Sequence, residues 1–255
     1  MLSDDDLERF SRQLLLPGFS FEEQQRLRDA SVLVVGCGGL GSPLALYLAA
    51  AGVGRLRLAD GDRVERSNLQ RQILHGAADI GRDKAASAAA SVARLAPDCA
   101  VTTLARRLEG APLDDAVAAA DLVADGSDNY PTRFALNRAC IAHGRPLVSA
   151  AAIRGEGQLS TFHPAGGGPC YRCLYPEEGQ RAALSCAESG VLGPVVGAIG
   201  ALQALEVLKL LSGWGETLVG VLLSFDLRHW EQRRLRLSPR ADCADCGGRG
   251  AGAAR

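Results

Sequence analysis

The stretch VVGCGGLG, residues 34–41, runs a short apolar strand into four glycines, Gly36, Gly38, Gly39 and Gly41, at G-x-G-x-x-G spacing. Glycines so placed let the backbone approach phosphate groups and set them against a helix N-terminus. The turn alone reports a phosphate-bearing nucleotide without saying which one. Asp60 follows Gly41 by 19 residues, where an acid accepts hydrogen bonds from ribose hydroxyls. Up to this point a dinucleotide and a triphosphate fit equally.

The next segments separate the two. DGDRVERSNLQRQILH (60–75) places Asn68, Arg71 and Gln72 just after the acid, and Lys84 follows in GRDKAA. A dinucleotide's pyrophosphate diester carries little charge, whereas a triphosphate carries much more and gathers further charge when its α-phosphorus reacts. Arg71 and Lys84 are the fixed donors such a reaction needs; the competing reading is two cations on a solvated helix. DGSDNYPTR then puts Asp125 and Asp128 at the end of another strand, the edge where ligands sit in open α/β sheets. Asp128 suits Mg²⁺, which prefers carboxylate and phosphate oxygens. The same residue could instead cap the helix at 130–143, and the two roles are compatible.

Eight cysteines in a chain with no export signal are expected to stay reduced. Cys37, Cys99 and Cys140 stand singly in apolar surroundings and read as small core side chains. PCYRC and DCADC supply two C-x-x-C knuckles, Cys170 with Cys173 and Cys243 with Cys246. Together they can close a tetrahedral Cys₄ zinc site with no open position. The 69 residues between Cys173 and Cys243 exceed a compact zinc ribbon, so redox use stays open. Zinc is favoured because neither pair opens a helix after a strand, as a thioredoxin-like thiol does. Cys186, in RAALSCAESG, is a lone thiol in a predicted loop, a nucleophile or an inert surface group with nothing in the residues to choose. The histidines, His75, His143, His163 and His229, show no ligand spacing and read as structural.

Elements that would hold these groups alternate over the first 150 residues. SVLVVG, RLRLAD, CAVTTLA, DLVADG and RPLVSAA read as strands; LGSPLALYLAAAG, KAASAAASVARLAP, LDDAVAAA and YPTRFALNRACIAHG read as helices. Repeated βα units with short connections imply a mainly parallel, doubly wound, Rossmann-like α/β sheet. GQLSTFHP, LVGVLLSFD and HWEQRRLRL are extended without intervening helices, and are expected to extend that sheet antiparallel or to form a flap. Residues 165–190 read as loop. A single domain, 1–248, accounts for the pattern: N-terminal helices over 1–30, a nucleotide-binding half over 31–151, a zinc-bearing half over 152–248, and a disordered tail, 249–255.

Apolar residues make up 47% of the chain and charged residues 22%, with a formal charge of −1. That balance argues against a dedicated nucleic-acid or membrane-surface binder. VLGPVVGAIGALQALEVLKLL (191–211) is the most membrane-like segment, yet Pro194, Gln203, Glu206 and Lys209 suit a buried helix better than a bilayer span. The expected compartment is the cytoplasm.

The order of these motifs resembles a family. RQLLLPG, GCGGLGSPLALYLAAAGVG, the acid at Asp60, SNLQRQILH, GRDKA, GSDN, PCYRCLYP, SCAESGVLGP and CADCG occur in sequence from about residue 5 to residue 248. The chain is similar in this to the MoeB/ThiF/HesA family, bacterial relatives of ubiquitin-activating enzymes. The resemblance implies ATP-dependent adenylation of a ubiquitin-like sulfur-carrier protein ending in Gly-Gly, in molybdopterin or thiamine sulfur transfer, with ATP, Mg²⁺ and Zn²⁺ as cofactors. It implies that Gly39 and Asp60 contact the nucleotide, with Ser67, Asn68, Leu69, Gln70 and Arg71 beside them. Arg71 and Lys84 are then expected to touch phosphates, and Asp128, with Asn129 next to it, to position Mg²⁺. Arg12 is expected to reach ATP from the second subunit of a homodimer, and Cys170, Cys173, Cys243 and Cys246 to hold zinc. Cys186 matches a position some members use for covalent sulfur chemistry and others dispense with. Ala150 departs from the pattern, since many members place Gly there. The sequence ends after the second knuckle, so a separate sulfurtransferase or cysteine desulfurase is the expected sulfur donor. Two other classes remain as alternatives, an NAD-dependent oxidoreductase and a non-catalytic scaffold that docks a carrier.

Overall fold

Alternation within one strand sets the layering. β1 (Ser31–Val35) is buried throughout, and its side chains divide between two apolar clusters. Val32 and Val34 face one layer, built from α4 (Gly41–Ala50), α5 (Lys84–Leu95) and α9 (Gly193–Ser212). Leu33 and Val35 face the other, with α6 (Ala111–Ala118) and α7 (Tyr130–His143). A strand apolar on both faces belongs in the middle of a parallel sheet, because helices cover both sides. Leu44 and Leu48 of α4 are fully buried against it, and each such side chain contributes about 1.5–3 kcal/mol.

The computed structural model describes residues 2–175 and 190–247. Its eight-stranded sheet has the order β3-β2-β1-β4-β5-β6-β7-β8. β1, β2 (Arg55–Ala59), β3 (Ala100–Leu104), β4 (Leu122–Asp125) and β5 (Leu147–Ile153) run parallel. β6 (Glu156–Phe162), β7 (Val221–Asp226) and β8 (Glu231–Arg236) add antiparallel. The three extended segments after residue 155 therefore join the sheet and form no flap. Chain order reverses between β1 and β4, so the crevice beyond their C-terminal ends is the topological switch point where α/β sheets bind ligands.

Three helices, α1 (Asp4–Arg9), α2 (Ser11–Leu14) and α3 (Phe21–Asp29), precede the sheet. Capping boxes at Ser3 and Ser20 start the first and third. The segment expected as loop contains a helical turn, α8 (Tyr171–Leu174), nucleated at the first knuckle. Cys186 and the tail from residue 248 lie outside the described residues.

By length and composition α9 could cross a membrane, but half of its most apolar window is buried inside the protein. Its polar side chains explain the placement. Glu206 Oε1 accepts from Thr161 Oγ1 and from the Leu218 amide, each at 2.6 Å. Gln203 Nε2 donates to the carbonyls of Asp125 at 2.8 Å and Val148 at 3.0 Å. These bonds lock α9 onto the sheet directly beneath the crevice.

Candidate nucleotide site and zinc knuckle

A cleft of about 360 Å³ opens at the switch point, lined by the glycine turn after β1, Asp60 and Asp62 after β2, and Ser127 to Asn129 after β4. Arg71, Gln72 and Lys84 also line it. The glycine turn needs its glycines for two separate reasons. Gly36 has φ +92°, and a Cβ there would stand 2.8 Å from the Gly126 carbonyl oxygen of the neighbouring strand end. At Gly41 a Cβ would fall 1.9 Å from the Gly36 oxygen, so this residue closes the turn by packing and does not face the cleft.

Asp60 holds the turn in place. Its Oδ2 accepts from the Cys37 amide and its Oδ1 from the Asp62 amide, both at 2.8 Å. Burial pushes its carboxyl up, while these amides and Lys84 pull it back. Lys84 opens α5 and is 6% exposed, its Nζ 2.9 Å from Asp62 Oδ2. A cation in the first turn of a helix opposes the helix dipole, and a buried one sacrifices hydration. Asp62 and the largely buried Asp60 offset part of that cost, and an anion in the cleft would offset more.

Asp128 lines the cleft with an exposed carboxylate that no described residue donates a hydrogen bond to. The expected capping role falls to its neighbour, since Asn129 Oδ1 accepts from the Thr132 amide at 3.0 Å and starts α7. The cap is satisfied one residue later, which leaves Asp128 for a cation. Asp125 is wholly buried and structural: it accepts from the Ser127 amide at 2.9 Å, Ser127 Oγ at 2.6 Å and Ser149 Oγ at 2.9 Å. Those bonds shape the loop that carries Asp128.

Some residues expected near the nucleotide are not on the cleft wall. Ser67, Asn68, Leu69 and Gln70 do not line the cleft; Asn68 instead accepts from the Glu65 amide at 3.3 Å. Ser67 contributes its carbonyl, which receives Arg71 Nη1 at 3.1 Å. Arg12 is exposed on α2, whose Gln13 is bonded to the Ala51 carbonyl at the far end of α4 from the glycine turn. It does not line its own cleft. The cleft also holds cations not foreseen from the sequence, Arg106 and Arg107 just after β3 and Arg133 on α7. The adjacent arginines directly following a strand were the available signal for the first two.

His75 proves structural. Its Nε2 donates to the Cys37 carbonyl at 2.9 Å, so its Nδ1, 2.9 Å from Ser87 Oγ, is the acceptor. Burial holds its pKa below the ordinary value, and His163 is depressed for the same reason. Such groups fold neutral, so their stabilisation is complete above about pH 6.5 and declines as pH falls below it. The thermal midpoint is expected to be lower at about pH 5.5 than at about pH 7.5, and His75→Gln is expected to reduce that difference in a melting series. Cys37, Cys99 and Cys140 are buried thiols that burial pushes up, Cys99 to about 11. They are core residues, as expected.

The two knuckles converge. Cys170 Sγ lies 3.8 Å from Cys173 Sγ and 3.5 Å from Cys243 Sγ, and Cys173 Sγ lies 3.6 Å from Cys246 Sγ. All four sulfurs fall within 4.8 Å of one another. A tetrahedron with Zn–S bonds of about 2.3 Å has edges of about 3.8 Å, so the donor set fits Zn²⁺. Cys170 caps a short helix, but one that follows a helical turn at Pro164–Gly166 and not a strand, and the four-sulfur geometry favours a structural metal over a two-thiol redox pair. The Arg240 amide points at Cys173 Sγ from 3.4 Å. Asp245 ties the knuckle to α7 through Asn137 Nδ2 at 2.8 Å and to Arg172 Nη1 at 2.8 Å.

Residues 10–246 match the model of the ThiF family. The chain belongs to the ThiF family. Among curated relatives, a pig protein described as adenylyltransferase and sulfurtransferase MOCS3 is 54% identical over 97% of this chain, which spans 55% of that relative. The sulfur carrier protein ThiS adenylyltransferase of Escherichia coli K12 is 48% identical, with 97% of this chain and 98% of the relative covered. The molybdopterin-synthase adenylyltransferase of the same strain is 45% identical, with 96% and 98% covered. The chain thus spans about half the length of the MOCS3 relative and nearly all of the two bacterial ones. In fold it is similar to E. coli MccB crystallised with AMPCPP and selenomethionine MccA, with a TM-score of 0.83 at 21% identity over 96% of this chain and 75% of that one. The oxidoreductase alternative finds no support in these ThiF-family relatives, each an adenylyltransferase by name.

Proposed function

We propose that this chain adenylates the C-terminal carboxylate of a ubiquitin-like sulfur-carrier protein ending in Gly-Gly, consuming ATP and releasing pyrophosphate. The observation that carries the reading is one cleft that joins a phosphate-cradling glycine turn, the buried Lys84, Arg71 and an uncommitted Asp128. In that reaction a carboxylate oxygen attacks the α-phosphorus. The bond from that phosphorus to the bridging oxygen of the β-phosphate breaks, and its electron pair leaves with pyrophosphate. The mixed anhydride so formed has AMP as leaving group, which makes the acyl carbon open to sulfur.

Each residue has a physical task in this scheme. Asp60 faces the ribose, and the glycine turn brings main-chain donors to the phosphates. Lys84 and Arg71 offset the charge that gathers on the phosphates, already in position before the reaction begins. Magnesium held at Asp128 would screen the polyphosphate and stabilise the departing charge. The position of Arg12, remote from its own cleft yet exposed, suits delivery to a second subunit, and we assign the active form as a homodimer on that ground.

Labelled pyrophosphate tests the proposal. With Mg²⁺, ATP and the carrier of the thiamine or the molybdopterin route, label is expected to enter ATP, and none is expected when the carrier is omitted. Absence of exchange with both carriers would remove the proposal. The relatives named for the two routes are almost equally similar, so the carrier giving exchange at the lower concentration identifies the pathway.

A further inference from the structure

Site groups follow one another along the C-terminal edge of the sheet. Arg106 and Arg107 come after β3, Asp60 and Asp62 after β2, the glycine turn after β1, Ser127 and Asp128 after β4, and Ala152 lies on β5. A nucleotide with its ribose at Asp60 and its polyphosphate near the glycine turn fills the β3-to-β4 part of that row. The second reactant is left the β5 side. Of the described cations that line the cleft, Arg133 is the one joined to that side: its Nη2 donates to the carbonyls of Ser127 at 2.7 Å and Ala150 at 3.3 Å.

We propose that Arg133 receives the terminal carboxylate of the carrier and holds it for attack, an inference that rests on the adenylation reading above. The state of its donors supports this. Nη2 is spent on the two carbonyls, Nε is buried without a hydrogen-bond partner, and the Tyr171 hydroxyl stands beside the guanidinium as a further acceptor. Asp125 is the nearest carboxylate, 3.8 Å from Nε, but three hydrogen bonds from Ser127 and Ser149 already occupy it. A side cavity of about 10 Å³, room for a single water, is lined by Arg133 and Tyr171. Arg133 also lines the nucleotide cleft.

The need for such a group follows from charge. An attacking carboxylate is an anion drawn toward a polyanion, and Lys84 and Arg71 are engaged with phosphate. A separate cation on the incoming side lowers the repulsion and fixes the angle of approach. Arginine suits this because its charge is permanent and weakly hydrated; with Nη2 committed to the two carbonyls it meets a carboxylate oxygen through a single remaining donor, and the Tyr130 ring lies 5.9 Å from the guanidinium carbon.

Calorimetry with Mg²⁺ and a non-hydrolysable ATP analogue tests the assignment, using a Gly-Gly carrier with a free C-terminus and the same carrier ending in an amide. Wild-type protein is expected to bind the free acid about tenfold to a hundredfold more tightly than the amide. Arg133→Gln is expected to erase that preference while binding the ATP analogue as before. Arg133→Lys, which keeps the charge near Asp125, is expected to fold as wild type in a melting scan and to retain part of the preference; it decides the matter if the glutamine variant does not fold. A preference that survives in Arg133→Gln, or one lost in step with analogue binding, would overturn the inference. So would a wild-type protein that supports pyrophosphate exchange yet binds acid and amide equally. Failure of exchange itself would count against the adenylation reading instead.

Discussion

Lys84→Met is expected to lower carrier-dependent pyrophosphate exchange by about 10²–10³-fold without lowering the melting temperature. The two halves of this expectation come from one geometry. Lys84 is buried at the first turn of α5, where the dipole disfavours it, and its partner Asp62 is 74% exposed on the side chain. Methionine fills similar volume among the alanines of α5 and carries no charge to desolvate. Asp62, left alone, keeps its water and costs little, and Asp60 loses the pull of Lys84 but keeps the Cys37 and Asp62 amide donors that hold its carboxylate. The lysine therefore gives the folded state little and the transition state much, because it is a donor fixed in place before charge develops. Exchange kinetics and a thermal scan on one preparation check both halves. Full activity with a lowered melting temperature would make Lys84 a structural residue.

The second large effect concerns the knuckle. Cys243→Ala, or removal of metal by a strong chelator, is expected to lower the thermal midpoint by about 10 °C. Structural zinc supplies about 10–16 kcal/mol in small fingers; if a third of that is realised here, a chain of this size loses about 3–5 kcal/mol, at roughly 2–4 °C for each. The loss reaches the cleft because the knuckle is fastened to α7. The Tyr171 amide donates to Asn137 Oδ1 at 2.8 Å, and Asn137 in turn donates to Asp245. α7 begins at Asn129, next to Asp128, and carries Arg133. Zinc quantification should return one ion per chain, and limited proteolysis should release the segment around 240–247 only after the metal is removed. Two thiols that oxidise reversibly, with no metal and no change in stability, would favour the redox reading instead.

Much of this site could be read from the residues because its parts are local. The glycine turn, Asp60 and Asp128 each sit within a few residues of a strand end, and a strand followed by glycines or acids marks the ligand edge of an α/β sheet. The four cysteines were legible as two pairs that could close one zinc site, although the 69 residues between them fit no compact ribbon spacing and left redox use open until the fold brought the sulfurs together. What stayed hidden depends on distant partners. Arg133 looks like any surface cation on an amphipathic helix until β5 and the Ser127 loop close over it. Gln203 lies 78 residues from Asp125 in sequence, yet its amide bonds that residue's carbonyl. Asn129 took the cap expected of Asp128 because both residue types cap helices, and only the backbone decides which one stands at the boundary. The SNLQ segment was carried over from a resemblance; of that stretch, the residues on the cleft wall are its neighbours Arg71 and Gln72, while Asn68 is buried beside them.

The central claim, that ATP is cut between its α- and β-phosphorus atoms by a carrier's carboxylate, has a direct measure in the mass of the carrier after a single turnover. With sulfur donors absent, intact-protein mass spectrometry is expected to show the carrier heavier by one AMP moiety, with pyrophosphate formed in equal amount. A carrier of unchanged mass accompanied by ADP and inorganic phosphate would contradict it.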